Sequence, residues 1–210
     1  MIGICEQHGF YRGEDCPYCK RKGKFLMNDK EAKKLSSLMV GILRHFPQNF
    51  DLEIDKKGWI EIDKMAEAIK NKVEGFYWVR RKHIEAVAAT DEKGRYQIKD
   101  GKIRATYAHT IDVDLSDLPD ADVDELYYPV TEEELEIVLE QGLLPVDRNK
   151  VHLSGSIEKA TEAGKRRCEN PVILKIDVKK ALEDGLKIKK AGNEVYIADK
   201  VDGKYISKVG

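Results

Sequence analysis

Apolar residues first fall at helical spacing at Leu35, Leu38, Met39 and Ile42, a stripe that predicts an amphipathic helix with one buried face. Asn28 or Asp29 can cap this helix, which begins near Lys30, and Pro47 closes it. A short strand in "GWIEI" leads to a second helix over residues 63–71, with Met65, Ala66 and Ile69 facing inward. A third helix is predicted over about residues 77–89, carrying "RRKH" in its first half. "RYQIKDGKIRAT" reads as two strands joined at Asp100-Gly101, a strong hairpin signal. Three helices followed by a two-stranded wing predict a winged-helix lobe over residues 28–113, and by analogy with that fold Arg80 and Arg81 become candidate nucleic-acid contacts.

Residues 112–125, "DVDLSDLPDADVDE", are acidic, contain a proline and show no packing face, which predicts an interdomain linker. Beyond it "ELYYPV" reads as a strand. Thr131 and Glu134 form a capping box for the helix "EEELEIVLEQ", which Gly142 ends. Short strands at "KVHLS", "PVILKID", "LKIKK" and "EVYIAD", with helices near residues 157–163 and 178–183, predict a mixed-sheet lobe over 124–210. The fold class is α+β. Neither a glycine-rich dinucleotide fingerprint after a strand nor a P-loop is present.

Cysteine placement changes the picture at the front. Three of the four cysteines lie in "CEQHGFYRGEDCPYC", where Cys5, His8, Cys16 and Cys19 form two short knuckles presenting three thiols and an imidazole. That donor set suits a structural tetrahedral zinc ion and predicts a zinc-binding module over residues 1–27, with "KRKGKF" as a basic connector. Disulfides or incidental cysteines are the competing readings. Cys168 stands alone and is expected to be inert.

The 210-residue chain is 41% hydrophobic, as globular chains are, and its net charge of −1 conceals an asymmetry. Residues 1–110 hold 22 Lys and Arg against 16 Asp and Glu, whereas 111–210 hold 15 against 22, giving about +6 and −7. The basic half is the candidate for a phosphate backbone. No apolar run is long enough to cross a bilayer and the N-terminus lacks a secretory h-region, so a cytoplasmic protein without membrane partners, working as a monomer, is expected.

Arg44 and His45 stand side by side where the first helix stops. Such residues commonly offset the partial negative charge of a helix C-terminus. Arg104, His109, Arg148, His152, Ser154 and Arg166 each have a similarly ordinary reading as strand-edge, core or solvated residues. Their contexts together point elsewhere. "LSSLMVGILRHFP", "GWIEI", "RYQIKDGKIRATYAH", "GLLPVDRNKVHLS" and "AGKRRCENPVILKID", in this order, resemble the tRNA 2′-phosphotransferases over about residues 35–207.

The resemblance implies an RNA-binding winged-helix lobe followed by an NAD-binding lobe like that of ADP-ribosyltransferases. It implies catalytic roles for Arg44, His45, Arg104 and Arg166, RNA contact by His109, and NAD contacts from Arg148, His152 and Ser154. It also implies an activity: an internal RNA 2′-phosphate, of the kind left at a tRNA splice junction, is transferred to NAD with release of nicotinamide and ADP-ribose 1″,2″-cyclic phosphate. Two departures stand out. The family's Leu-Tyr-His-Gly-Thr is "LYYPVT" here, with Tyr128 for the histidine and Pro129 for the glycine, and the family's Gly-His after "iRA" is Ala108-His109. Tyr128 is assigned to the cofactor because it can still donate a hydrogen bond. Two alternatives stay open: ADP-ribosylation of a terminal RNA phosphate, and a zinc-containing winged-helix RNA-binding protein whose NAD lobe has lost catalysis.

Overall fold

A computed structural model describes residues 1–209. The chain is mixed α/β, with six α-helices and three antiparallel sheets among the described residues. It divides into two compact units, Met1–Asp114 and Leu115–Gly210.

The first unit opens with β1 (Ile2–Cys5), β2 (Gly9–Arg12) and β3 (Lys24–Met27), ordered β2-β1-β3. The predicted basic connector is therefore corrected: Lys24 and Phe25 belong to β3 and pair with Ile4 and Gly3. The sheet is not a free-standing appendage, because Ile2, Leu26 and Met27 join the same core as the neighbouring helices.

Helix α1 (Asp29–Arg44) has Asn28 as its N-cap. The Asn28 side chain accepts from the Glu31 amide at 2.9 Å while the Glu31 carboxylate accepts from the Asn28 amide at 2.8 Å. Of its predicted stripe, Leu35, Met39 and Ile42 are fully buried, worth about 1.5–3 kcal/mol for each side chain, whereas Leu38 is only partly buried at the edge of the core. A 3-10 turn at Pro47–Phe50, β4 (Ile60–Glu61) and α2 (Ile62–Lys72) come next. Helix α3 (Arg81–Ala89) begins four residues later than its pattern predicts. Phe76 and Trp78 pack against the core from a turn closed by the Val79 amide on the Phe76 carbonyl, which keeps them out of the helix. The hairpin β5 (Tyr96–Lys99) and β6 (Lys102–Ala105) turns at Asp100-Gly101, both at positive φ, and completes a sheet ordered β4-β6-β5.

The division between the units falls inside the acidic segment 112–125, but the segment does have a packing face. Val113, Leu115 and Leu118 are buried, and the Ala121 amide bonds the Ile188 carbonyl at 2.9 Å, so a segment without evident periodicity still packs.

The second unit contains β7 (Glu125–Val130), α4 (Leu135–Gln141), β8 (Val151–Ser154), α5 (Ile157–Gly164), β9 (Val172–Asp177), α6 (Val178–Glu183), β10 (Ile188–Lys190), β11 (Val195–Ala198) and β12 (Ile206–Lys208). The strands form one sheet, ordered β10-β11-β8-β7-β9-β12. The Thr131 and Glu134 bonds form as expected, but they close a turn, and α4 starts only at Leu135. Strand β7 pairs with β9 along its whole length and with β8 only at Tyr127↔Ser154. Pro129 has no amide hydrogen to add to a ladder.

Candidate functional site

Helix α1 ends where it does because Gly41 leaves room for Phe46. A Cβ at Gly41 would lie 2.2 Å from the Phe46 ring, so the glycine lets that ring fold back and turns the chain at His45. The loop after β6 closes over this end: the Thr110 amide bonds the Arg44 carbonyl at 3.0 Å, and Thr110 Oγ1 lies 3.0 Å from His45 Nδ1. His45 is thus held by the loop that carries His109.

Arg44 is only 7% exposed, and its guanidinium lies 4.5 Å above the centre of the Tyr107 ring. Nε and Nη2 are buried without a hydrogen-bond partner among the described residues. Burial draws its pKa below the ordinary arginine value, and neighbouring Tyr107 offsets part of that effect. Neighbouring Arg95 shows the ordinary arrangement. Its Nε donates to Asp91 at 3.0 Å, and its Nη2 also donates to Ser36 Oγ at 3.0 Å. A buried cation with two unused donors is costly unless an anion meets it.

Arg104 is more deeply buried, at 2% exposed. Its Nε and Nη2 donate to Gln97 Oε1 at 2.9 and 2.7 Å, its Nη1 donates to the Lys57 carbonyl at 3.2 Å, and the group stacks 4.6 Å from the Trp59 ring. Sequence reasoning missed these supports, although one was legible: a two-residue turn at Asp100-Gly101 puts Gln97 opposite Arg104. His109 is 3% exposed, and Ala108 before it takes φ +63°, the left-handed region that favours the glycine expected there.

The other RNA candidates lie at the start of α3. Arg80 Nη1 donates to the Tyr77 and Val79 carbonyls, each at 2.7 Å. Arg81 pairs with Asp63 and Glu85, each at 2.8 Å.

In the second unit, His152 and Ser154 share one face of β8, alternating with buried Val151 and Leu153. Tyr127 stands opposite Ser154, so alternation along β7 sets Tyr128 on the other face, where it is half-buried against the core. The register thus does not put Tyr128 beside His152 and Ser154. Pro129 is a packing surface: a Cβ on Gly164 would come within 2.7 Å of it. Arg166 is exposed, whereas adjacent Arg167 pairs with Glu134. Arg148 is partly exposed, with Nε 4.0 Å from Asp147.

The N-terminal cysteines form a compact donor set. Cys5 Sγ and Cys16 Sγ lie 3.5 and 3.4 Å from His8 Nδ1, and Cys5 Sγ lies 3.8 Å from Cys19 Sγ. All four ligand atoms fall within 4.8 Å of one another. Tetrahedral zinc, with bonds of about 2.3 Å to sulfur and about 2.0 Å to nitrogen, requires edges near 3.8 Å between sulfurs and near 3.5 Å from sulfur to nitrogen. The cluster fits that ion. The Cys19 thiol is drawn down to about 6, chiefly by the Arg21 backbone amide, which favours the thiolate a metal needs.

Residues 30–200 match the family described as RNA 2′-phosphotransferase, Tpt1 / KptA family. The chain belongs to the RNA 2′-phosphotransferase family. A relative in Archaeoglobus fulgidus named "Probable RNA 2'-phosphotransferase 1" is 42% identical over 99% of this chain and 94% of its own length. Relatives carrying the family name in Methanosarcina barkeri and Thermoplasma acidophilum are 39% and 38% identical, over 98% and 95% of this chain and 98% and 85% of theirs. Since these matches cover nearly the whole chain, the N-terminal sheet belongs within the resemblance to these phosphotransferase relatives. No helix among the described residues is long and apolar enough to cross a membrane.

Proposed function

We propose that this protein removes an internal 2′-phosphate from RNA, such as a tRNA splice junction, by transferring it to NAD. Buried Arg44, with Nε and Nη2 unpaired among the described residues, carries the reading, because family membership supplies the anion it lacks. The first unit is then a winged-helix RNA-binding lobe. Arg44, His45 and Arg104 act on the phosphate, and Arg80, Arg81 and His109 contribute to RNA contact. The second unit is an ADP-ribosyltransferase-like lobe in which Arg148, His152 and Ser154 hold NAD, Tyr128 supports that pocket from the core side, and Arg166 serves the transferred phosphate. Exposure of Arg166, against the ion pair of Arg167, favours Arg166 for that role.

The chemistry takes two steps. An oxygen of the 2′-phosphate attacks C1″ of the nicotinamide ribose; the O–C1″ bond forms as the C1″–N bond breaks, and nicotinamide leaves with that electron pair. The 2″-hydroxyl then attacks the phosphorus and gives up its proton, while the RNA 2′-oxygen departs and takes up a proton. His45, oriented through Nδ1 by Thr110, is assigned the proton transfer because imidazole titrates near neutrality. The guanidinium groups hold and orient the phosphate in the first step, and in the second, where attack on phosphorus puts further negative charge on its oxygens, each fixed donor stabilises it by about 3 kcal/mol.

The test is incubation of the protein with a short RNA bearing an internal 2′-phosphate, with and without NAD, and identification of products by mass. NAD-dependent appearance of ADP-ribose cyclic phosphate is expected. Accumulation of ADP-ribosylated RNA would assign the chain to the first step alone, and no NAD-dependent change with RNA bound would leave a binding protein.

A further inference from the structure

The metal cluster holds an aromatic ring in the open. Tyr18, between ligands Cys16 and Cys19, is 76% exposed, and its ring lies 5.2 Å from the His8 ring at 34°. A large exposed aromatic adds little to a core, and the only ring beside it is that of His8 among the described residues. Directly after the second knuckle come Lys20, Arg21, Lys22 and Lys24, all exposed. Arg21 donates to Gln7 at 2.8 Å, while Lys20, Lys22 and Lys24 have no ion pair among the described residues. Arg21, Lys22 and Lys24 border a cleft of about 390 Å³ whose other wall is Ile4, Cys5, Glu6 and Gln7.

Aromatic faces interleaved with unpaired cations are the pattern that binds a single-stranded nucleic acid: bases stack on the rings and phosphates meet the lysines. A protein partner of matching acidity would use the lysines, whereas a base adds a use for the open face of Tyr18. We infer that the zinc knuckle is a platform for single-stranded RNA, with Tyr18 stacking on an unpaired base and Lys22 and Lys24 contacting phosphates beside it. This rests on the reading of the protein as one that acts on RNA, and it adds a contact outside the phosphotransfer residues. Folding of the module and recognition of RNA would then depend on the same metal.

The experiment uses the full-length zinc-loaded protein and a fluorescent single-stranded RNA of about twelve nucleotides without a 2′-phosphate, a length within the span such sites cover. Anisotropy is read over a salt series, with the matching duplex as control. Tyr18→Ala should weaken single-strand binding by about tenfold and leave duplex binding unchanged, and Tyr18→Phe should bind like the parent. The Lys22→Ala/Lys24→Ala pair should flatten the logarithmic salt slope by about 1.4, two phosphate contacts at about 0.7 each. Zinc content and melting temperature are measured for every variant; the lysine pair lies outside the ligand set and decides the matter if Tyr18→Ala loses metal. Unchanged affinity in both variants overturns the platform, as does an equal loss on duplex or a loss that Tyr18→Phe shares. Turnover of a minimal 2′-phosphorylated dinucleotide, which carries no flanking single strand, reports separately on the proposed reaction and should be unaffected by either change.

Discussion

Arg44 and Arg104 in the first unit carry the same charge as Arg166 in the second, yet they are held in opposite ways. The first two are buried, one over Tyr107 and the other between Trp59 and Gln97, while Arg166 projects into solvent. A buried guanidinium is dehydrated and oriented before any ligand arrives, whereas an exposed one must surrender water and rotamer freedom when it binds. The first unit therefore invests stability in its candidate site, and the second leaves its candidate arginine available at little cost to the fold. Within the first unit the investment also differs: Arg104 has acceptors for all three nitrogens, but Arg44 does not.

The largest expected effect separates the units by metal dependence. Chelation, or Cys16→Ser at a fully buried ligand, should unfold the N-terminal sheet and take Ile2 and Met27 from the shared core, on the order of 5 kcal/mol. Hydrogen exchange should show this loss in residues 1–114 and leave 115–209 protected; uniform loss would break the contrast between the units.

Next come the arginines. Arg44→Met and Arg104→Met should each lower turnover by about 10²- to 10³-fold. Their stabilities should diverge: removing an underpaired buried charge should raise stability by about 1 kcal/mol at Arg44, and stranding Gln97 and the Lys57 carbonyl should lower it by about 2 kcal/mol at Arg104. Arg166→Ala should impair turnover with stability unchanged within about 0.5 kcal/mol. Thermal melts alongside single-turnover rates test all three, and equal stability changes at the two buried sites would refute the contrast drawn between them.

A third prediction concerns acid. Burial, with Lys82 and Arg80 nearby, pushes the pKa of His83 down to about 4. Below its unfolded pKa near 6.5 the unfolded chain takes up a proton that the folded chain refuses, so this stabilisation is present above that value. It is lost as pH falls toward 4, by on the order of 2–3 kcal/mol. His83→Gln should flatten that limb of the stability curve, as denaturation over the same pH range will show. The smallest effect is Ala108→Gly, which should relieve the φ +63° strain and add about 1 kcal/mol to the unit holding Arg44. A neutral or destabilising result there would mean that the loop over His45 gains something from the alanine side chain.

Much of this was written in local pattern. The α1 stripe, the Asn28 cap, the Asp100-Gly101 hairpin and the cluster of Cys5, His8, Cys16 and Cys19 depend on neighbours close in sequence, and residue types with their spacing specify such features. The late start of α3 and the burial of Val113, Leu115 and Leu118 were not legible, because packing of Phe76, Trp78 and the acidic segment overrides local propensity. The same division runs through the site. Sequence alone marked Arg44, His45 and Arg104 as worth attention. Only the tertiary structure set Tyr107 beneath one arginine and Trp59 beneath another and pinned His45 to Thr110, because those partners lie 45 to 65 positions away, save for Gln97 in the hairpin register. Burial and unused hydrogen-bonding capacity are properties of the packed chain, since the unfolded chain leaves every one of these guanidinium groups in water.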